Sequence, residues 1–169
     1  MKTHVLMILA VMALLVSGGC SPSSKEITSL QRKEAASLVS EAQFALQLKD
    51  FARAEGLLAK ATVLCPDSGK YWVDLGSIRV RLKQKEAARV AYKSGLQAYE
   101  MAAKKDATDP GSVLQKVYVL ALLGRVDEAR AELAQALKRF PEHRSVKSFN
   151  DGKQLDKMLA DPRFKEIAL

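Results

Sequence analysis

From Lys25 onward the apolar positions of this chain recur at helical spacing. Leu30, Leu38, Ala42, Ala45, Leu46 and Leu48 suit one face of a first helix, interrupted at Lys49-Asp50. Phe51, Ala54, Leu57, Leu58, Ala61 and Leu64 suit a second, which must end before Pro66 because a proline disfavours helix in the residue ahead of it. Ser23 with Glu26 three residues later has capping-box spacing and predicts a helix start near Ser24. Asp67-Ser68 predicts the next N-cap. Asp109-Pro110 and Asp161-Pro162 each read as a cap followed by proline at the first helical position. Ahead of Asp109, Met101-Ala102-Ala103 carries no breaker, so the fourth helix is expected to run on to about Lys105.

The pattern ahead of Lys25 is different. Val5 to Val16 is an unbroken run of twelve apolar residues, followed by Ser17-Gly18-Gly19-Cys20. As a helix that run rises only about 18 Å, short of the roughly 30 Å hydrocarbon core. With its small-residue end it reads as a secretory signal over residues 1–19, removed before the fold begins. The segment Val16-Ser17-Gly18-Gly19-Cys20 resembles a bacterial lipobox, with Ser17 where Leu is commonest. That resemblance implies acylation of Cys20, and several acyl chains at about 0.8 kcal/mol per buried methylene would hold the chain on a bilayer. Ser21 rather than Asp after the Cys implies the outer membrane, facing the periplasm. Residues 20–24 then read as a lipidated tether.

Internal repetition organises the rest. Tyr71-Trp72-Val73-Asp74-Leu75-Gly76, followed by Ala88, Tyr92 and Gly95, resembles the skeleton of a tetratricopeptide repeat, a helix–turn–helix unit of 34 residues. Laid over the chain, the unit occurs three times within residues 25–143, at about 35–68, 69–102 and 110–143. The small position of each first helix is Ala42, Gly76 and Val117. Those of each second helix are Ala54, Ala88, Ala129 and Ala61, Gly95, Ala136, with Leu58, Tyr92 and Leu133 as the bulky position between. Small residues at fixed spacing let paired helices approach, and bulky ones fill the space beyond. Ala103–Asp109 is an insertion after the second unit, so the second junction is expected to be longer and less regular than the first. Residues 144–169 are expected to cap the exposed end of the stack. The resulting expectation is an all-α fold: a short right-handed α-solenoid of three helix pairs with C-terminal capping helices.

In that family the first helices line a concave groove for peptides. Carried over, the groove positions are Val39, Gln43, Gln47, Lys70, Val73, Ser77, Arg81, Leu114, Tyr118 and Leu122, with Gln43, Gln47, Lys70, Ser77, Arg81 and Tyr118 as the polar or aromatic contacts. Such a lining suits a peptide with apolar anchors and an acidic end. The carboxylate clamp of chaperone-binding relatives is not matched, since those places hold Val39, Gln43, Asp74, Gly111 and Gln115.

Composition changes this picture little. The chain is 48% hydrophobic and 27% charged, an ordinary globular balance for one domain. The net charge is +8; loss of residues 1–19, whose one charged side chain is Lys2, leaves +7. That charge could favour anionic headgroups or an acidic partner, though Glu alternates with Lys and Arg along most helices. Arg79, Arg81, Lys83, Lys85, Arg89 and Lys93 spread around two helices without interleaved aromatics, which argues against nucleic acid. With Cys20 acylated, Cys65 has no bridging partner and reads as a buried structural thiol. His143 is the only histidine after Cys20, and the chain has no HExxH, CxxC or Gly-rich phosphate loop. The sequence therefore predicts a non-enzymatic binding protein without metal or cofactor. It would be a scaffold recruiting a protein partner into an envelope machine of pilus, secretion or outer-membrane assembly type. The alternative is a structural adaptor for cell-wall enzymes, or a self-associating stack without a peptide groove.

Overall fold

The computed structural model describes residues 26–169, so the expected signal peptide, Cys20 and the tether over 20–24 lie outside the described residues. Within them the fold is all-α, with nine helices and no strand. The helices are α1 (Ser29–Gln47), α2 (Phe51–Leu64), α3 (Gly69–Arg81), α4 (Lys85–Lys105), α5 (Pro110–Leu122), α6 (Val126–Arg139), α7 (Arg144–Asp151), α8 (Gln154–Ala160) and α9 (Pro162–Lys165). Among the described residues no helix is long and apolar enough to cross a membrane. The first helix begins later than the Ser23/Glu26 spacing predicts. Thr28 is the N-cap: the Gln31 amide donates to its Oγ1 at 3.2 Å, and its own N–H donates to Gln31 Oε1 at 2.9 Å. That reciprocal pair satisfies two donors that a helix start leaves free.

Three turns join the helices of a pair, and they repeat one geometry. In the first, Lys49 N–H donates to Leu46 O and Asp50 N–H to Ala45 O; in the second, Lys83 to Val80 and Gln84 to Arg79; in the third, Gly124 to Ala121 and Arg125 to Leu120. Each is a Schellman closure, which needs a left-handed residue just past the helix. Lys49, Lys83 and Gly124 supply it with φ of 58°, 63° and 72°. Only one of the three is the glycine that this conformation favours.

The junctions between pairs are equally regular, contrary to the expectation for the second. Cys65–Ser68, Asp106–Asp109 and Phe140–His143 each span four residues closed by an N–H donated from the last to the carbonyl of the first. The inserted residues are absorbed in α4, which has 21 residues against 14 in α2. Asp109 caps α5 by accepting from Gly111 N at 2.8 Å and Ser112 N at 3.1 Å, and Asp161 caps α9 from Arg163 N. Ser68 stands at the N-cap of α3 but makes no side-chain bond there. Its neighbour Asp67 instead takes a two-pronged contact from Arg32 of α1, at 2.7 and 3.3 Å. Trp72 turns its Nε1–H back onto Pro66 O at 3.0 Å, tying α3 to its own entry loop.

All nine aligned small positions are buried, as are Leu58 and Tyr92; Leu133 is half-buried. The middle pair uses the tightest version. An added Cβ on Gly76 would clash with Cε1 and Cδ1 of the Tyr92 ring, and one on Gly69 would meet the ring of Tyr99 at 2.6 Å. Gly95 faces the α3 backbone, where a Cβ would lie 3.2 Å from Gly69 O. On α1 the buried stripe is Ala35, Val39, Ala42 and Ala45. Leu30 and Leu48, expected on that face, are 72% and 62% exposed. Half-buried ion pairs cross the helix contacts: Arg79–Glu55 between α3 and α2 at 2.8 Å, and Lys116–Glu132 between α5 and α6 at 2.7 Å. Cys65 is buried, its Sγ 3.8 Å from Gln31 O, and burial pushes its thiol pKa up.

The last helices cover the far end of the stack. Val146 of α7 is buried with Val113 and Ala136, while Leu155 of α8 and Phe164 of α9 join the cluster of Val117, Leu122 and Ala129. After α9 the chain turns back: Leu169 N–H donates to Leu122 O at 2.9 Å, beside the turn at Gly124.

Candidate functional site

A cleft of about 570 Å³ lies between α1 and α3 and ends at the residues that follow α9. Its floor is apolar: Ala42 and Leu58 are buried in the core that the first helix pair shares with α3, and Ile78, Leu46 and Phe51 complete it. Polar groups line the edge, namely Gln43 from α1, Lys49 from the first turn, and Lys70, Asp74, Ser77 and Arg81 from α3. A smaller hollow of about 330 Å³ opens on the other side of α3, lined by Val73, Tyr99, Gln115 and Tyr118. The two hollows share Lys70, Asp74 and Ser77 as a common wall, one residue per turn of α3.

Of the residues predicted for the groove, Gln43, Lys70, Ser77 and Arg81 come together in the larger cleft, and Tyr118 lies in the smaller one. Gln47 is exposed and lines neither. Among the apolar positions, Val39 lines the larger cleft and Val73 the smaller. Leu122 is wholly buried in the core, and Leu114 packs on the Val113–Ala136–Val146 cluster. These two are therefore structural, because α5 is the helix on which the capping segment folds and its apolar side chains are already covered.

The polar groups are mutually engaged. Lys70 Nζ meets Asp74 Oδ2 at 2.5 Å across one helical turn, an exposed pair. Ser77 Oγ donates to Val73 O at 3.0 Å within its own helix. Arg81 lies 5.9 Å from the centroid of the Phe51 ring and faces the Glu166 carboxylate at 3.6 Å. Tyr92, fully buried, sends its hydroxyl up between α3 and α5 to donate to Ile167 O at 2.6 Å, with Ser77 Oγ 3.3 Å away. Burial pushes the Tyr92 pKa up to about 12, and raises those of Tyr99 and Tyr118 in the same direction. Tyr118 stands edge-on to Phe164, with ring centroids 5.9 Å apart. The region between α3 and α5 is thus occupied by the chain's own residues 164–169.

Sequence reasoning missed Phe51, Ile78, Tyr92 and Ile167 as parts of this region. Phe51 and Ile78 carry ordinary core periodicity, and Ile167 arrives from a distant element, so only the aromatic at the bulky position of the second unit offered a signal. Chemically, the cleft presents an apolar trough with hydrogen-bonding groups on its lip, which suits an amphipathic or extended chain segment. His143 is remote from it, capping α7 by accepting from Ser145 N. Among the described residues, no group of three or more His, Cys, Asp or Glu side chains is placed to hold a metal ion. Comparison of the sequence with protein-family models finds no match, and comparison with curated proteins finds no similar sequence.

Proposed function

We propose that this chain is a peptide-binding scaffold of the tetratricopeptide type, anchored through Cys20 in a bacterial envelope and recruiting a protein partner through the cleft between α1 and α3. The observation that carries the reading is the cleft itself: an apolar floor from three helices under a lip of Gln43, Lys70, Asp74 and Arg81. Support for the repeat type comes from the three Schellman turns, the three matching junctions and the nine buried small positions. The lipobox-like Val16–Cys20 supports the anchor, and Ser21 supports the outer membrane as its address. A binding role fits the cleft chemistry better than catalysis, since Lys70 and Asp74 neutralise each other and the Ser77 proton is committed to Val73 O.

The test is site-specific photo-crosslinking in the envelope, with the reactive side chain at Gln43 in the cleft or at Val90, 60% exposed on α4, as a control. A discrete partner captured from Gln43 alone supports the groove. The same products from both positions, or none, would remove it. The reading as a self-associating adaptor has one observation in its favour: Phe44 and Leu48 lie one turn apart on α1 and are 57% and 62% exposed. Crosslinks between copies of the chain from Phe44 would favour it.

A further inference from the structure

The larger cleft does not simply open at its far end. Ile167 forms part of a lining that also includes Phe51, Ile78 and Arg81, while its own packing is against the cluster of Val73, Tyr92 and Val117. Three separate contacts place this segment there. Glu166 sets its carboxylate opposite Arg81, the Ile167 carbonyl accepts from the buried Tyr92 hydroxyl, and Leu169 N–H donates to Leu122 O. Only the second of these reaches a buried side chain. The Glu166–Arg81 contact is long and open to water, at 60% and 39% exposure, so salt and solvent screen it. Ile167, Ala168 and Leu169 are half-buried, resting on the core cluster without entering it.

We propose that residues 166–169 are a built-in occupant of the groove where the α1–α3 cleft ends and the region between α3 and α5 begins, and that the partner segment taken there has the same chemistry. It would carry a carboxylate for Arg81, followed directly by a branched aliphatic side chain for the apolar surface of Val73, Tyr92 and Val117 on which Ile167 rests. Its main-chain carbonyl at that residue accepts the Tyr92 hydroxyl. The inference rests on the peptide-groove reading and specifies its ligand. Tyr92 is the element that makes the match particular. Its buried hydroxyl has the Ile167 carbonyl as its short acceptor at 2.6 Å and Ser77 Oγ only at 3.3 Å, and a backbone carbonyl supplies such an acceptor whatever the sequence. Arg81 then selects an acidic residue on one side of that carbonyl, and the apolar surface selects the aliphatic residue that bears it. A segment tethered in the same molecule competes at an effective concentration of about millimolar, so a free segment of equal chemistry binds weakly until the tether is released.

The experiment uses the full chain and a fluorescein-labelled peptide of the sequence Asp161–Leu169, read by anisotropy. The unaltered protein should bind it weakly. The variant Glu166→Arg with Ile167→Asp should release the resident segment and bind the peptide at least about tenfold more tightly. Adding Arg81→Gln to that variant should return binding to the unaltered level, and a scrambled peptide should not bind. Equal affinity for the unaltered and released proteins would overturn the proposal, as would failure of the released protein to bind while its helical circular dichroism and melt match the unaltered chain. Should the double variant not fold, Glu166→Arg alone, at an exposed side chain, gives the same comparison. Peptide binding without a partner crosslinked from Gln43 would leave this ligand chemistry standing and remove the recruiting role. A crosslinked partner without peptide binding would do the reverse.

Discussion

Gly76→Ala separates two physical effects of opposite sign in the middle helix pair. Alanine in a helix interior is about 1 kcal/mol better than glycine on propensity alone. Against that, the new Cβ would stand 2.5 Å from Tyr92 Cδ1 and 3.0 Å from its Cζ, where carbon atoms normally rest near 3.5–4.0 Å. The ring is fully buried and its hydroxyl is held by Ile167 O, so it cannot swing aside without breaking that bond. Overpacking of this kind costs about 1–3 kcal/mol, and the clamped ring puts it at the upper end. The net effect should be a loss of about 2 kcal/mol, or roughly 4–8 °C in Tm for a fold of this size. Gly56→Ala supplies the propensity term by itself, because nothing lies within 4 Å of its Cβ position; it should raise Tm by a few degrees. The rescue is also specified. Where the second unit has Gly76 with Tyr92, the first has Ala42 with Leu58, so Gly76→Ala with Tyr92→Leu should lose less than the sum of its parts. Thermal melts of the four proteins complete the cycle. If Gly76→Ala stabilises as much as Gly56→Ala, the packing argument is wrong.

Lys83→Gly should stabilise the chain by about 0.5–1 kcal/mol in a urea melt, since φ of 63° strains an L-residue and not glycine; a loss would show that the lysine stem contributes more than the strain costs. Asp109→Ala should cost about 1 kcal/mol, as two N–H donors of α5 lose their acceptor. The Gly111 N–H bond chiefly holds the Asp109 pKa below the ordinary carboxylate value, so its contribution is present at neutral pH and fades as pH falls through that lowered pKa. For Tyr92 the sign is reversed. Folded, it keeps its proton to about pH 12, while the unfolded chain loses it near the ordinary tyrosine value of about 10. Its stabilisation is therefore full below pH 10 and lost between 10 and 12; Tyr92→Phe should show a shallower fall in stability over that window, and parallel curves would refute this.

Caps and breakers were the most readable part of the fold. Asp109-Pro110 and Asp161-Pro162 act locally, through side-chain oxygens bonded two and three residues on, so their geometry is carried by adjacent letters. The start of α1 differs from the expectation for a related reason: Ser23/Glu26 and Thr28/Gln31 have the same spacing, so spacing alone does not choose between them, and the observed cap Thr28 follows Ile27, which packs against the core of the first pair. Leu30 and Leu48 look like core residues by type, yet the α1 interface is built for closeness and takes Ala35, Ala42 and Ala45 instead. At the candidate site, the residues of α1 and α3 followed from helical period, while their partners did not. That Arg81 meets Glu166 and Tyr92 meets Ile167 depends on a segment folding back from the far end of the chain, and no local pattern encodes such a return.

The long α4 has a bearing on how arrays like this change length. Seven added residues make nearly two full turns, leaving only about 20° of rotation between the old helix end and the new one. The helix therefore resumes facing the way it would have ended, and Tyr99, seven after Tyr92, meets Gly69 as Tyr92 meets Gly76. A gain of two or five residues would instead turn the junction to another side and take the third pair with it. Insertions and deletions in α2, α4 or α6 should thus be accepted at lengths that nearly restore the heading, such as about seven or eleven residues, and rejected at lengths such as about two or five, which makes the helix, rather than the loop, the place where this architecture can grow.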